Sequence, residues 1–142
     1  MPAPQAPDWR ELVQTLELQA HPEGGFYRET WRSAHSVDAT SYGRPEAGSR
    51  SAATSILFLL PSGHESRLHR VASDELWLHQ GGDPCLLSIG DSRHDLGVAP
   101  CLQALVPAGV WQSAKCGEGA HGYTLVACIV VPGFEFQDFE LA

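Results

Sequence analysis

The sequence predicts an all-β domain with one short helix near its N-terminal end. Runs of residues rich in β-branched and aromatic side chains alternate with clusters of Gly, Pro, Asp and Ser, which is typical of short strands joined by turns. The 14 Gly and 10 Pro residues favour a β-sandwich or closed barrel over a helical bundle. A length of 142 residues suits about one domain. We therefore expect a single domain over residues 1–142.

The helix is predicted over about residues 8–18. Apolar side chains recur there at the spacing of one helix face, at Trp9, Leu12, Val13 and Leu16. Asp8 precedes this stripe and resembles an N-cap. A helix of about three turns is too short to form a core, so we expect it to cover a sheet.

Strands are predicted from residue 26 to residue 141, and these form the expected barrel. Their predicted bounds are Phe26–Arg32, Ser51–Leu60, Arg67–Val71, Glu75–His79, Cys85–Ile89, Leu102–Val106, Val110–Ala114, Tyr123–Val131 and Phe134–Leu141. The segment 33–50 contains several turn residues and is predicted to be a long loop.

Charge and hydropathy exclude two classes of partner. The net charge is −8 and no run of basic residues occurs, so we expect no nucleic-acid partner. The longest apolar stretches, 56–61 and 125–132, are far shorter than the ~20 residues of a membrane span.

The four Cys form no Cys-x-x-Cys pair, which excludes a zinc ribbon. Residues 1–8 do not resemble a secretory signal, so we expect a cytoplasmic protein.

The segment 63–82 is richest in chemically active side chains. Ala72, Ser73 and Asp74 are interpreted as a tight turn that joins two strands into a hairpin. Because side chains alternate along a strand, the inner face would collect Arg67, His69, Val71, Glu75, Trp77 and His79. A His facing a carboxylate suits a metal site or a general acid–base pair. Structural roles for the same side chains stay open.

Two motifs then resemble those of a known family. Gly63, His69, Val71, Glu75 and Gly82 follow the spacing of the first cupin motif, and residues 107–112 resemble the second, with Gln112 in place of its His. Further blocks at 21–30 and 132–140 narrow the resemblance to a cupin subfamily known only as a domain of unknown function. The resemblance implies a jelly-roll barrel (a double-stranded β-helix), commonly a homodimer, that binds a small molecule.

The resemblance also defines a candidate metal site, which this sequence fills incompletely. Cupins usually hold the metal with three His and one Glu. His69 and Glu75 occupy two matching positions, whereas Val71 has no donor atom and Gln112 is a weak ligand. A divalent metal is therefore possible only if another side chain helps, and His79 is the candidate.

A metal-free site is the other reading of the same residues. Cupin sugar-nucleotide epimerases use a barrel His as base and a Tyr as acid. By that analogy His69, held by Glu75, is the candidate base, and Tyr123 or Tyr27 is the candidate acid.

Several further side chains are candidates for ligand binding. Arg28 or Arg67 would clamp a carboxylate or phosphate. Trp77 and Trp111 are either core residues or a stacking wall. The full candidate set is Glu23, Arg28, Arg67, Trp77, His79, Trp111 and Gln112. The alternating Phe residues at 134–139 predict an apolar strand face for core or dimer packing.

Three functions follow from these residues. The first is a small-molecule enzyme of isomerase, epimerase or lyase type that uses His69 and Glu75. The second is a metal-dependent oxygenase or hydrolase. The third is a binding module without catalysis.

Overall fold

The structure is a computed structural model that describes residues 8–142. Its elements are α1 (Trp9–Thr15), β1 (Gln19–Ala20), β2 (Phe26–Arg32), β3 (Ser36–Asp38), β4 (Ser49–Ser51), β5 (Thr54–Pro61), β6 (Glu65–Val71), β7 (Asp74–Gly82), β8 (Cys85–Ile89), β9 (Ser92–Leu96), β10 (Gln103–Val106), β11 (Gln112–Cys116), β12 (Tyr123–Val131) and β13 (Phe139–Leu141). Short 3₁₀ turns lie at Ala39–Tyr42, Pro45–Ala47 and Phe136–Asp138. Within the described residues, α1 is too short and polar to cross a membrane, and no other helix could.

The strands form two antiparallel sheets that face one another. One sheet has the order β1-β2-β5-β12-β7-β10, and the other has the order β13-β6-β11-β8-β9. A small third sheet pairs β3 with β4. The predicted all-β jelly roll with a short N-terminal helix is therefore confirmed.

The core lies between the two sheets because alternate side chains of each strand point inward. Its largest buried members are Phe58, Leu60, Trp77, Leu87 and Leu96. Each such side chain contributes roughly 1.5–3 kcal/mol when it is removed from water. These residues fill one part of the barrel interior, and a cavity occupies another part.

Helix α1 covers the outer face of the larger sheet, as its short apolar stripe predicts. The Asp8 side chain caps the helix by accepting a hydrogen bond from the Arg10 amide at 2.8 Å. Trp9 stacks on Phe26 with ring centroids 5.6 Å apart. Leu59 and Tyr123 are buried in the same cluster.

The predicted hairpin between β6 and β7 is wrong. Strand β6 pairs with β11 and β13, whereas β7 pairs with β12 and β10. Residues 72 and 73 therefore carry the chain from one sheet to the other. His69 and Glu75 still approach each other, because they lie on the inner faces of opposed sheets.

Three further segments differ from the predictions: residues 33–50, strand β9 and residues 134–138. The segment 33–50 contains β3, part of β4 and two 3₁₀ turns instead of an unstructured loop. Strand β9 was not predicted, because its Ser-Arg-His-Asp sequence is the polar, charged type found on sheet edges. The chain from 134 to 138 is not a strand: it contains a 3₁₀ turn, and only Phe139–Leu141 pairs, with β6.

Candidate functional site

A small cavity lies between the sheets and collects both ionisable and apolar side chains. The free space inside it measures about 30 Å³. Its lining consists of His21, Glu23, Tyr27, Thr54, Ile56, His69, Val71, Glu75, Val130, Phe134 and Phe139. The two residues that head the sequence-predicted site, His69 and Glu75, both face this space.

His69 enters the cavity from β6 and is held by its Nδ1 atom. It is 2% exposed. Nδ1 lies 2.7 Å from the Arg67 carbonyl oxygen and 2.8 Å from Oε2 of Glu23. Both neighbours accept hydrogen bonds, so Nδ1 carries the proton. In the neutral ring Nε2 is then the basic nitrogen, and it has no hydrogen-bond partner among residues 8–142.

Glu23 reaches His69 from the tight turn that precedes β2. The Gly24 backbone has φ +112° and packs so closely on β6 that a Cβ atom would lie 2.1 Å from the Glu65 carbonyl oxygen. The Glu23 carbonyl accepts a hydrogen bond from the Arg67 amide at 2.8 Å. The Ser66 hydroxyl donates to the same carboxylate oxygen that contacts His69. The two glycines at 24–25 therefore make the close approach that places Glu23 in the cavity.

Glu75 points into the cavity from β7, and it accepts a hydrogen bond from a neutral amide instead of pairing with an imidazole. It is 7% exposed, and its Oε1 accepts a hydrogen bond from the Gln112 amide nitrogen at 2.8 Å. The Gln112 amide oxygen accepts in turn from the Trp77 indole at 2.9 Å. Burial, followed by the charge of Glu23, raises the pKa of Glu75 to about 7.

The two histidines of the cavity respond to their surroundings in opposite directions. Burial disfavours protonation of His69, but the hydrogen bond and charge of Glu23 outweigh it and raise the pKa of His69. Burial dominates at His21 and lowers its pKa, although Glu23 lies 3.4 Å away. A protonatable carboxyl and an imidazole thus face the same space near neutral pH.

The structure corrects the partner predicted for His69. Glu23, not Glu75, holds the ring by Nδ1. Glu23 was predicted only as a ligand-binding residue, and His21, Thr54, Phe134 and Phe139 were not predicted to line the site. The sequence signal for this contact is the adjacent Gly24–Gly25 pair, because glycine permits a close backbone approach, although the pair does not show which strand is approached.

Two predicted cations lie outside the cavity lining. A β-bulge in β6 places Ser66 and His69, three residues apart, opposite Ala114 and Gln112, two apart. This extra residue turns Arg67 outward, where it donates to the Pro22 carbonyl. Arg28 alternates with the cavity-lining Tyr27 on β2, so it points to the other face of the sheet.

His79 does not join Glu75. Its Nε2 lies 3.0 Å from the Asp83 carbonyl oxygen, and its ring packs against Gly97. Both groups lie away from the cavity lining, so the side chain cannot complete the incomplete ligand set.

The four aromatic candidates lie in four different places. Trp77 is a core residue whose indole orients Gln112, and Trp111 lies outside the lining with Arg70 stacked 4.7 Å from its ring. Tyr123 packs under α1 beside Leu59, so it does not face His69. Tyr27 lines the cavity.

Comparison with known proteins identifies the family. The model of the family described as "Cupin superfamily (DUF985)" matches residues 10–142. The chain belongs to this cupin family. It is 36% identical to a hypothetical protein from Leishmania major, with a TM-score of 0.84 and coverage of 96% of this chain and 88% of that one. The crystal structure of protein SO0799 from Shewanella oneidensis is 32% identical, with a TM-score of 0.79 and coverage of 96% and 85%.

A curated relative of this cupin comes from yeast. The uncharacterized protein YML079W of Saccharomyces cerevisiae is 27% identical over 97% of this chain and 77% of its own length. The resemblance inferred from the sequence motifs is therefore confirmed at the level of the family.

The donor set of this cupin does not fit the metal site that the family implies. Both ends of the Gln112 amide are occupied, by Glu75 and by Trp77, and Val71 offers no donor atom. Among residues 8–142, no three His, Cys, Asp or Glu side chains are arranged to hold an ion. The groups available for acid–base chemistry in the cavity are therefore its own side chains, His21, Glu23, His69 and Glu75.

Proposed function

We propose that this cupin is an enzyme that moves a proton on a small molecule held in the cavity, as an isomerase, epimerase or lyase does. The observation that carries the proposal is the buried Glu23–His69 pair, which lines the same cavity as Glu75. A carboxylate on Nδ1 fixes the tautomer that leaves Nε2 as a base, which is the arrangement of many acid–base enzymes.

The proposed reaction begins with proton transfer to His69. Nε2 takes a proton from a carbon next to a carbonyl group, while the protonated Glu75 carboxyl donates a hydrogen bond or proton to the carbonyl oxygen. The product of this step is an enol. Return of a proton to the other face of the carbon gives an epimer, return to a neighbouring carbon gives an isomer, and loss of a group from the next carbon gives a lyase product.

Glu23 acts in this proposal as a positioning residue. It keeps the proton on Nδ1 and stabilises the imidazolium that forms when Nε2 accepts a proton. Tyr27 lines the cavity and takes the place of Tyr123 as the candidate tyrosine near the substrate.

Deuterium exchange tests this function with a panel of simple carbonyl compounds in place of the natural substrate. The unaltered protein is incubated in D₂O with dihydroxyacetone, glyceraldehyde or aminoacetone, and loss of C–H signals is followed by proton NMR. We expect exchange to fall by about 10²–10⁴-fold in His69→Gln, which is the usual size of a general-base contribution. His94→Gln, on the edge strand β9, is the matched control and should exchange at the normal rate.

The pH dependence of exchange provides a second readout. Exchange should decline at low pH as His69 Nε2 is protonated, and decline above about pH 7 as Glu75 loses its proton. Full exchange in His69→Gln would overturn the proposal. Tight binding of a compound that is returned unchanged, without exchange, would instead identify a binding module.

We also propose that two copies of the chain associate through the larger sheet. On its outer face a row of paired residues crosses five strands: Trp31 pairs with Ser55, Ser55 with Ile129, Ile129 with Leu76 and Leu76 with Leu105. Four of these five side chains are apolar. Trp31 and Leu105 are each more than half exposed. An exposed apolar surface of this kind supports an interface.

A further inference from the structure

The charges that line the cavity do not balance. Glu23 and Glu75 are both buried, and of the residues that line the space none is Arg or Lys. Protonated His69 can match one carboxylate, and that carboxylate is Glu23, its direct partner at 2.8 Å. Glu75 has only neutral partners, the Gln112 amide and the Cys128 thiol. Burial lowers the pKa of His21, the other imidazole of the lining, and so favours its neutral form. When Glu75 is ionised, the cavity therefore carries net negative charge in every protonation state of His69.

The missing counter-charge raises the free energy of the ionised form of Glu75. A buried carboxylate without a counter-charge is costly, and proteins commonly respond by keeping the group protonated. The pKa of Glu75 rises to about 7 for this reason: burial is the first cause and the charge of Glu23 is the second. A positive group placed in the cavity would supply the missing counter-charge.

The walls around the carboxylates suit an organic cation better than a hydrated metal ion. The rings of Tyr27, Phe134 and Phe139 line the space, and Phe139 lies 5.4 Å from His69 by ring centroids. Aromatic faces attract ammonium groups within about 6 Å of the ring centroid. Free space of about 30 Å³ is room for about two water-sized groups, which matches the nitrogen and the one carbon of methylammonium.

A neighbouring cavity has the same charge bias. A second, outer cavity of about 240 Å³ shares Tyr27, Ile56 and Phe134 with the inner one. It contains two carboxylates and one guanidinium: Arg32 lies 2.7 Å from Glu29 and 3.2 Å from Glu135. Arg32 is thus the only described cation in the lining of the outer cavity, and it already pairs with two carboxylates. It is therefore not available to hold an anionic ligand.

We propose that the cavity binds a small organic cation, an aliphatic ammonium group whose charge lies against Glu75 and whose carbon atoms contact the aromatic wall. This inference goes beyond the proposed function but rests on the same cavity: the ammonium group binds the ionised form of Glu75, whereas the proposed proton transfer uses the protonated form, so the cation would compete with a carbonyl substrate. It replaces the carboxylate or phosphate ligand that Arg28 and Arg67 had suggested.

Proton linkage makes this ligand class testable with methylammonium chloride as the probe. A ligand that binds only the ionised form of Glu75 lowers the pKa of that group, and a concentration about ten times the Kd lowers it by about one unit. The charged and polar groups around Glu75 are Glu23 before β2, His69 on β6, Gln112 on β11 and Cys128 on β12. Loss of the His69 proton also favours a cation, so binding should tighten as pH rises through 7.

The experiment follows the ¹³C-carboxyl NMR signal of Glu75 from pH 5 to 9. The signal is assigned by its absence in Glu75→Gln. We expect 100 mM methylammonium chloride to lower the midpoint of Glu75 by about one unit or more, whereas methanol, sodium acetate and sodium chloride at the same concentration leave it within about 0.2 units. If Glu75→Gln does not fold, Glu75→Asp assigns the signal by its displacement.

The outcomes separate the two proposals. An unchanged midpoint with methylammonium, or an equal shift with sodium chloride, overturns the cation site. Deuterium exchange into a neutral carbonyl compound together with an unchanged midpoint would leave the proposed function standing and refute the ligand class. A methylammonium shift without exchange into any carbonyl compound would establish the cation site and refute the enzyme.

Discussion

At the residue scale, the two buried carboxylates of the cavity differ because their partners differ. Glu23 has an imidazole, the Ser66 hydroxyl and a nearby second imidazole, so its charge is matched within hydrogen-bond distance. Glu75 has only neutral donors, the Gln112 amide and the Cys128 thiol, in the same low-dielectric space. The protein therefore keeps one carboxylate as an orienting charge and holds the other near the middle of its titration at neutral pH.

This difference predicts a pH-dependent stability that Glu75→Gln should abolish. The pKa of Glu75 is about 7 in the folded protein against 4.5 for an ordinary Glu. Because the unfolded chain loses its proton first, the stabilisation from this group is complete below pH 4.5 and is lost as pH rises to about 7. The loss amounts to about 3 kcal/mol in the free energy of unfolding.

Urea unfolding at pH 5 and pH 8 measures this loss. The unaltered protein should lose more stability between the two pH values than Glu75→Gln does, and the difference should approach about 2–3 kcal/mol. Glu118→Gln removes an exposed carboxylate and should follow the unaltered protein. Parallel pH dependence in all three proteins would contradict the raised pKa.

At the element scale, the site depends on two irregular pieces of backbone. The bulge in β6 brings Ser66 and His69 to the same inner face, and the turn at residues 21–25 lays Glu23 against that bulge. Regular alternation would have placed Arg67 in the cavity beside His69. Both irregularities are local, and each fixes the position of one member of the Glu23–His69 pair.

The turn can be tested with Gly24→Ala. Gly24 has φ +112°, and the added Cβ would lie 2.1 Å from the Glu65 carbonyl oxygen. We expect a loss of about 2–4 kcal/mol in the free energy of unfolding, together with a fall in the pKa of His69 as Glu23 moves away. Urea unfolding and NMR titration of the imidazole report the two effects.

Gly63→Ala separates the clash from backbone strain. Gly63 also has a positive φ, of +85°, but open space surrounds its missing Cβ. This variant should lose only about 1–2 kcal/mol and leave the pKa of His69 unchanged. An equal loss in both variants, with an unchanged His69, would show that the turn does not position Glu23.

The same elements show what the sequence could predict. The pattern of apolar residues and turns identified most strands, and the motif spacing identified His69 and Glu75, because both signals are local. The pairing of β6 with β11, and the contact between Glu23 and His69 across 46 positions, depend on long-range packing. The bulge is also hidden, because no residue type in Ser66–His69 marks the extra position.

At the scale of the whole molecule, the jelly roll divides its apolar surface into three parts. Inward side chains form the core, the inner cavity takes the remaining space between the sheets, and α1 covers part of the outer face of the larger sheet. On that outer face Leu76 and Ile129 are partly buried, Leu105 is 53% exposed, and none of the three belongs to the cluster under α1. A second copy of the chain is the occupant that we predict.

Analytical ultracentrifugation should therefore give twice the chain mass of 15.4 kDa for the unaltered protein. Leu105→Glu should shift the equilibrium toward the monomer, because a dimer interface related by twofold symmetry would bury the new charge twice. Leu68→Glu, which introduces the same charge at a half-exposed Leu of the other sheet, should remain dimeric. A monomeric unaltered protein would refute the dimer, and dissociation by Leu68→Glu alone would move the interface to the smaller sheet.

Since Glu75 lies on β7 directly before Leu76, retention of the normal Glu75 titration in monomeric Leu105→Glu would show that each cavity is complete within one chain.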